Sequence, residues 1–343
     1  MALYLGLLIF SFLITGILVV PFINLLYKFK FLRRQQVTRD FQGIRTKIFD
    51  RFHKHKAGTP VGGGLLIIAI VTLLYVLILP AVSFGGVFIT HAHPIRDELN
   101  VLFFTFISFG FLGLYDDILK FFGFKKTGFF GLRLWHKFAI QWILAFTIAI
   151  LLFRNLGIDF LYIPFWGTIT LGFWYIPFAA FVVVAFANAF NITDGLDGLS
   201  CGLLTICLFA FWILSSQALD TPLSIFIALF IGALLAFLYF NIYPARIWLG
   251  DVGALSFGAT LGVIGLLIGK TMALVVIGGL FILEIGSSLL QIGSKKILKR
   301  KLFEVAPFHL WLQNKGWEEP KIVFRAWLAG IVLAIFGLWL ALI

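Results

Sequence analysis

The chain is a succession of long apolar runs joined by polar links. A membrane-spanning helix needs roughly 20 mostly apolar residues, and about ten runs qualify. They cover 2–27, 62–80, 99–119, 134–153, 171–190, 198–216, 222–241, 252–269, 272–294 and 322–342. This pattern predicts an all-α integral membrane protein with about ten transmembrane helices. It reads as one polytopic domain, 1–343, with two long polar loops at 28–61 and 295–321 that have room for small helices or a hairpin. No Ser/Gly linker, low-complexity tract or repeat divides it. The first run has no basic residue before it, a heavy basic cluster after it and no small-residue cleavage site, so it reads as a retained anchor.

Composition agrees with the pattern. Apolar residues make up 61% of the chain and charged ones 12%, against about 25% charged in a soluble domain. The net charge of +12 is explained by topology rather than by nucleic acid. Lys28, Lys30, Arg33, Arg34, Arg39, Arg45, Lys47, Arg51, Lys54 and Lys56 follow the first run, and Lys120, Lys125, Lys126, Arg133 and Lys137 surround the third link. Arg246 follows the seventh run, and Lys295, Lys296, Lys299, Arg300, Lys301, Lys315 and Lys321 follow the ninth. The alternate links hold only Arg96, Arg154 and Lys270. The positive-inside rule therefore predicts both termini outside and the basic loops in the cytoplasm. Cys201 and Cys207 lie in one apolar run and suggest packing, not a disulfide or a thiolate metal site.

Charge beside hydrocarbon usually marks a site. Asp116 and Asp117 end the third run, Asp194 and Asp197 lie between the fifth and sixth, and Asp251 begins the eighth. The alternation puts all five on the cytoplasmic face. Acids gathered in one place repel unless a cation lies among them, and oxygen-only ligands favour a hard ion such as Mg²⁺. Lys56, Lys120, Lys125, Lys137 and Arg246 could hold phosphates on the same face, which together with the acids is the equipment of phosphoryl transfer. Asp116 and Asp117 are adjacent, hence about 100° apart on a helix, and should not both reach one point without some unwinding. Asp194 could instead cap the sixth run. Gly58–Gly64 is a Gly-rich turn suited to a close backbone approach. Glu284, mid-run, must face the bundle interior and reads as a structural pairing group. Gly269-Lys270-Thr271 is not a nucleotide loop, because Ile264 stands where the earlier glycine belongs.

These residues, in this order, resemble the polyprenyl-phosphate hexose-1-phosphate transferases, and among them the phospho-N-acetylmuramoyl-pentapeptide transferase branch. The resemblance runs from Gln42 to Trp327. It is carried by Gln42-Gly-Ile-Arg45, His53–Pro60, Phe111-Leu-Gly-Leu-Tyr-Asp-Asp117, Asn188-Ala-Phe-Asn-Ile-Thr-Asp-Gly-Leu-Asp-Gly198, Phe240–Asp251 and Gly316–Trp327. The last of these motifs is particular to the muramoyl branch. The resemblance implies attack of undecaprenyl phosphate on a UDP-N-acetylmuramoyl-pentapeptide donor in the inner (cytoplasmic) membrane, giving lipid I and UMP with Mg²⁺ as cofactor. By motif position, Asp251 and Asp117 are the implied metal ligands, and Asp116, Asp117, Asp251 and His309 the implied catalytic groups. Lys56, Lys120, Lys137, Asn188, Asn191, Asp194, Asp197, Asn241, Trp248 and Gln291 are the implied substrate-binding positions, with Trp248 stacking on uracil. The bilayer and a second copy of the chain are further candidate partners.

The sequence departs from the family at three places. The family's three consecutive histidines are reduced to His309, followed by Leu310 and Trp311. Thr46-Lys47 replaces Gly-Pro, and Thr59-Pro-Val-Gly-Gly-Gly64 replaces Thr-Pro-Thr-Met-Gly-Gly. Two alternatives follow. One is the same chemistry on UDP-N-acetylglucosamine. The other is a cation-coupled transporter, which would call for acids near the midplane and broken helices in paired halves.

Overall fold

The computed structural model describes residues 2–33, 56–86, 88–122, 132 and 134–343. The basic positions 34–54, Lys125, Lys126 and Arg133, and the motif residues 42–55, lie outside these. The helices are α1 (Ala2–Lys28), α2 (Gly63–Phe84), α3 (Ile95–Phe122), α4 (Leu134–Asn155), α5 (Tyr175–Thr193), α6 (Leu199–Gln217), α7 (Thr221–Asn241), α8 (Gly250–Leu267), α9 (Thr271–Ile277), α10 (Gly279–Ile297), α11 (Phe308–Asn314) and α12 (Glu319–Leu342). Among the described residues nine helices are long and apolar enough to cross a membrane, and the bent pair α9–α10 makes up to ten. The chain is a multi-pass membrane protein.

Helix α8 is the axis of the bundle, with 94% of its spanning window buried. It packs against α2, α3 and α5. Phe257 on α8 meets Phe106, Phe190 and Phe230 at ring-centroid distances of 5.9, 6.2 and 4.9 Å. These rings fill the centre, while the outer faces of α1, α4 and α12 remain apolar and exposed, as lipid contact requires. Near the start of α8 the helices approach too closely for side chains. A Cβ on Gly64 of α2 would collide with the Gly253 backbone, and one on Gly113 of α3 with the backbone of Asp251 and Val252. Small residues thus seat the α8 N-terminus between α2 and α3.

Three local features were not anticipated. The ninth predicted span is not one helix. It bends by 76° at Gly278, where a Cβ would press on the Phe186 ring (2.6 Å) and on Leu274 O (2.9 Å). A pair of glycines there lets the chain turn tightly against α5. Second, the link after α4 is an antiparallel hairpin, β1 (Phe160–Ile163) with β2 (Gly167–Thr170), paired Phe160↔Thr170 to Ile163↔Gly167. Third, the loop before α2 is stitched to the loop before α8. Gly62 N–H donates to Trp248 O (3.1 Å) and Trp248 N–H to Pro60 O (2.9 Å), while Leu32 bridges Pro60.

The 295–321 loop carries α11, one of the small helices that its length allowed. Gln291 of α10 spends its amide on this loop. Its Oε1 accepts from Leu302 N (3.1 Å) and Phe303 N (2.9 Å), and its Nε2 donates to Phe303 O (2.8 Å).

Candidate active site

Asp116 and Asp117 do not converge on one point: with α3 kept helical they flank the α8 N-terminus from different sides, as their spacing leads one to expect. The helix is continuous to Phe122. The α8 N-terminus enters the wedge between the two carboxylates and meets both. Asp117 Oδ2 accepts from Val252 N (3.1 Å), while Asp116 faces Lys120 and Lys137. Gly250 makes the approach feasible. Its φ is +76°, and a Cβ there would lie 2.6 Å from Asp117 Oδ2, so both conformation and space require glycine.

Two ammonium groups sit among the three acids. Lys120 Nζ lies 3.1 Å from Asp116 Oδ2, 2.7 Å from Asp251 Oδ2 and 4.0 Å from Asp117 Oδ1. Lys137 Nζ donates to Asp116 Oδ2 at 2.9 Å and also bonds Asp251 Oδ2. Asp116 Oδ1 accepts from Leu132 N at 2.7 Å. Asp116 and Asp117 are each 2% exposed. Among the described residues, three carboxylates stand against two ammonium groups, an excess of one negative charge. Among the described residues no three acid, histidine or cysteine groups converge closely enough to hold a metal unaided.

The turn between α5 and α6 carries the second pair of acids. Asp194 is the C-cap of α5, not a cap for α6, and accepts from Ser200 Oγ at 2.5 Å. Burial pushes its carboxyl up to about 7, with Asp251 and Asp197 adding to the rise and Ser200 and Arg33 opposing it. Asp197 Oδ1 is 2.8 Å from Lys56 Nζ, and its Oδ2 accepts from Ala245 N at 2.9 Å. Lys56 also meets Glu319 Oε1 at 2.5 Å. Arg33 and Lys56 lie over the Trp248 ring, 4.3 and 4.8 Å from its centroid. Trp248, the implied stacking partner of uracil, is covered by these cations. The ring is 6% exposed, packed with Val61 and Phe121 and covered by cations.

Asn241 likewise acts on the backbone. Its Oδ1 accepts from Gly198 N (3.2 Å) and its Nδ2 donates to Ile247 O (2.9 Å), tying the α5–α6 turn to the loop before α8. Asn188, Asn191 and Lys137 line a cavity of about 500 Å³ with Trp135, Phe138, Gln141 and Ile192, and Asn188 Nδ2 donates to Gln141 Oε1 (2.7 Å). Gln291, implied as a substrate-binding position, bonds the 302–303 backbone and does not line this cavity.

His309 is 1% exposed. Its Nδ1 pairs with Glu284 Oε2 at 3.0 Å, and its backbone N donates to Glu284 Oε1 at 3.1 Å. Its other ring nitrogen abuts Gly195, 2.5 Å from where a Cβ would stand. His309 therefore presses on the Asp194–Asp197 turn, a place for a positioning residue, whereas its motif position implied a catalytic one. Glu284 is the structural pairing group expected of it. Sequence reading overlooked Arg33 and Glu319. Arg33 counted only toward orientation, and Glu319 lay unremarked in the 316–327 motif, although a carboxylate just before Pro320 at a helix start was visible.

The glycosyl transferase family 4 model matches residues 99–269, which include Asp116, Asp117, Asp194, Asp197 and Asp251. A phospho-N-acetylmuramoyl-pentapeptide-transferase of Staphylococcus epidermidis is 36% identical over 339 residues, covering 97% of each chain. The protein of that name from Aquifex aeolicus is 34% identical over 352 residues, covering 94% of this chain and 91% of its own. The one from Clostridium novyi is 32% identical over 330 residues, covering 95% and 92%. With identity at this level running through nearly the whole length, the chain belongs to the phospho-N-acetylmuramoyl-pentapeptide-transferase branch of glycosyl transferase family 4.

Proposed function

We propose that this protein transfers phospho-N-acetylmuramoyl-pentapeptide from its UDP-linked donor to undecaprenyl phosphate, releasing UMP and forming lipid I for peptidoglycan synthesis. The observation that carries this reading is the gathering of Asp116, Asp117 and Asp251 around Lys120, in a chain similar over nearly its whole length to proteins of that name.

The reaction joins two anions. An oxygen of the acceptor phosphate bonds to the donor's β-phosphorus, the bond from that phosphorus to UMP breaks, and the electron pair leaves on UMP. Little covalent chemistry falls to the protein, whose task is positioning and charge compensation. Lys120 and Lys137 supply mobile ammonium groups that exchange carboxylate partners for phosphate oxygens. Asp116 and Asp251 hold those ammonium groups in place beforehand. Asn188 and Asn191 offer amides to the donor from the adjoining cavity. An apolar groove of about 400 Å³, lined by Ile282, Leu283, Gly286, Leu290, Phe303 and Phe308 among others, suits the acceptor's hydrocarbon chain.

The donor set fits Mg²⁺. It is all oxygen and carries excess negative charge, and Mg²⁺ is commonly held by one or two carboxylates together with substrate phosphates. Asp251 and Asp117 would be the protein ligands. When bound, the ion would neutralise charge on the diphosphate. The site end of the bundle is proposed to face the cytoplasm at the inner membrane, a reading supported by Arg33, Lys56, Lys120, Lys137, Lys315 and Lys321 at that end.

The test uses purified protein, undecaprenyl phosphate, Mg²⁺ and radiolabelled UDP-sugars, followed by separation of lipid products. Product is expected from the muramoyl pentapeptide donor and is expected to vanish on chelation. Product from UDP-N-acetylglucosamine alone would reassign the donor, and persistence in chelator would remove the ion.

A further inference from the structure

Glu319 is the first residue of α12, and it is 7% exposed. One of its oxygens, Oε1, accepts twice, from Lys56 Nζ at 2.5 Å and from Asp197 N at 2.6 Å. Lys56 is thereby shared between two carboxylates, those of Glu319 and Asp197, while its ammonium lies 4.8 Å from the Trp248 ring centroid. Among the described residues Arg33 is a second cation facing this group, near Asp194, Asp197 and Glu319. Arg33 and Lys56 thus both face the acids of the α5–α6 turn and of α12. As arranged, Lys56 has no oxygen to seek.

A buried lysine can serve a ligand only by leaving a partner. Asp197 is itself tied to Ala245 N through Oδ2 and keeps its place in the turn. Glu319 likewise retains a backbone donor, the Asp197 N–H, after Lys56 departs, and it lies outside the α5–α6 turn. We propose that Glu319 is a positioning residue acting as a charge latch. It holds Lys56 and the Asp197 turn together when no donor is bound, and it surrenders the ammonium to an oxygen of the donor's UDP moiety. This rests on the reading of the Lys56–Trp248 corner as part of the donor site. Glu319 competes with the nucleotide for one cation, so it sets donor affinity more than the rate of the chemical step.

Replacing the carboxylate with an amide separates charge from restraint. Glu319→Gln keeps an acceptor for the Asp197 N–H and removes the competing charge. The full chain in detergent is compared with this variant by equilibrium dialysis of labelled UDP, without acceptor, and by donor KM and kcat in the lipid-product assay. UDP is expected to bind the variant about five-fold more tightly or better, with the change falling on donor KM rather than kcat. A folded variant that binds UDP equally or more weakly overturns the latch, because a purely structural glutamate would give that result. Should the variant not fold, the unaltered protein with UDP decides by structure determination. Lys56 Nζ is expected to have left Glu319 Oε1 for the nucleotide, and Lys56 still on Glu319 refutes the idea. If the unaltered protein binds no UDP, the latch fails, since nothing competes for Lys56. If it binds UDP but makes no lipid product from any donor, the latch stands and the proposed transferase reaction falls.

Discussion

Asp251 touches both ammonium groups of the cluster, and no other acid of the site does this while also opening a helix. Asp251→Asn keeps the shape and removes the charge. Release of UMP is expected to fall by about 10²-fold or more, with the thermal midpoint within a few degrees of the parent; near-normal turnover would remove Asp251 from the chemistry. Asp194 gives a pH signature. Its folded carboxyl titrates near 7, well above its ordinary value of 3.8, so between those values the folded state binds the extra proton. Stability must then fall as pH rises through this window and level off above it. Melting from pH 5 to 8 should show that decline, and Asp194→Asn should flatten it. The acids were legible in the sequence because each is an anomaly beside an apolar run. Their partners were less so. Lys56 and Asp197 are 141 residues apart, and Lys56 and Glu319 are 263 apart. Nothing in a linear pattern says which of many lysines a buried acid will choose.

Helices α2, α3 and α8 illustrate what spacing can and cannot reveal. Their apolar runs predict their existence. Their mutual approach is set by Gly64, Gly113 and Gly253, whose facing backbones leave no room for a Cβ. Gly64→Val is expected to cost about 1–3 kcal/mol of stability and to separate Asp251 from Asp117, measured as a lowered melting midpoint together with lost turnover. Helix α11 was foreseen only as room in a loop. It delivers His309 to Gly195, with Glu284 of α10 behind it. His309→Ala and Glu284→Gln should therefore be coupled, with the double variant no slower than the worse single one. Additive losses in turnover would show that the two act separately. The α9–α10 bend escaped detection because hydropathy is indifferent to direction. Gly278-Gly279 was visible, but glycine pairs also pack straight helices. The 160–170 hairpin is too short and too aromatic to stand out beside a membrane interface.

Over the whole molecule, the proposed orientation rests on charge asymmetry. Cys201 and Cys207 are buried, which leaves a quiet background for added thiols. With Thr168→Cys on the hairpin and Lys299→Cys in the last polar loop, both exposed positions, an impermeant reagent should label the first in intact cells and the second only after lysis. The reverse pattern would invert the protein. The single broken span among the described residues is not the paired interruption expected of a transporter, and the acids lie at helix ends. The sequence by itself determined the membrane class, the approximate span limits and the acids of the site, because hydrocarbon imposes length and polarity on each segment independently of its neighbours. Only the tertiary structure decided which lysine pairs with which acid, that Trp248 is covered by cations, that His309 braces a turn and that α9–α10 bends. Each of these depends on which surfaces meet, and that is a property of pairs of distant segments rather than of either alone.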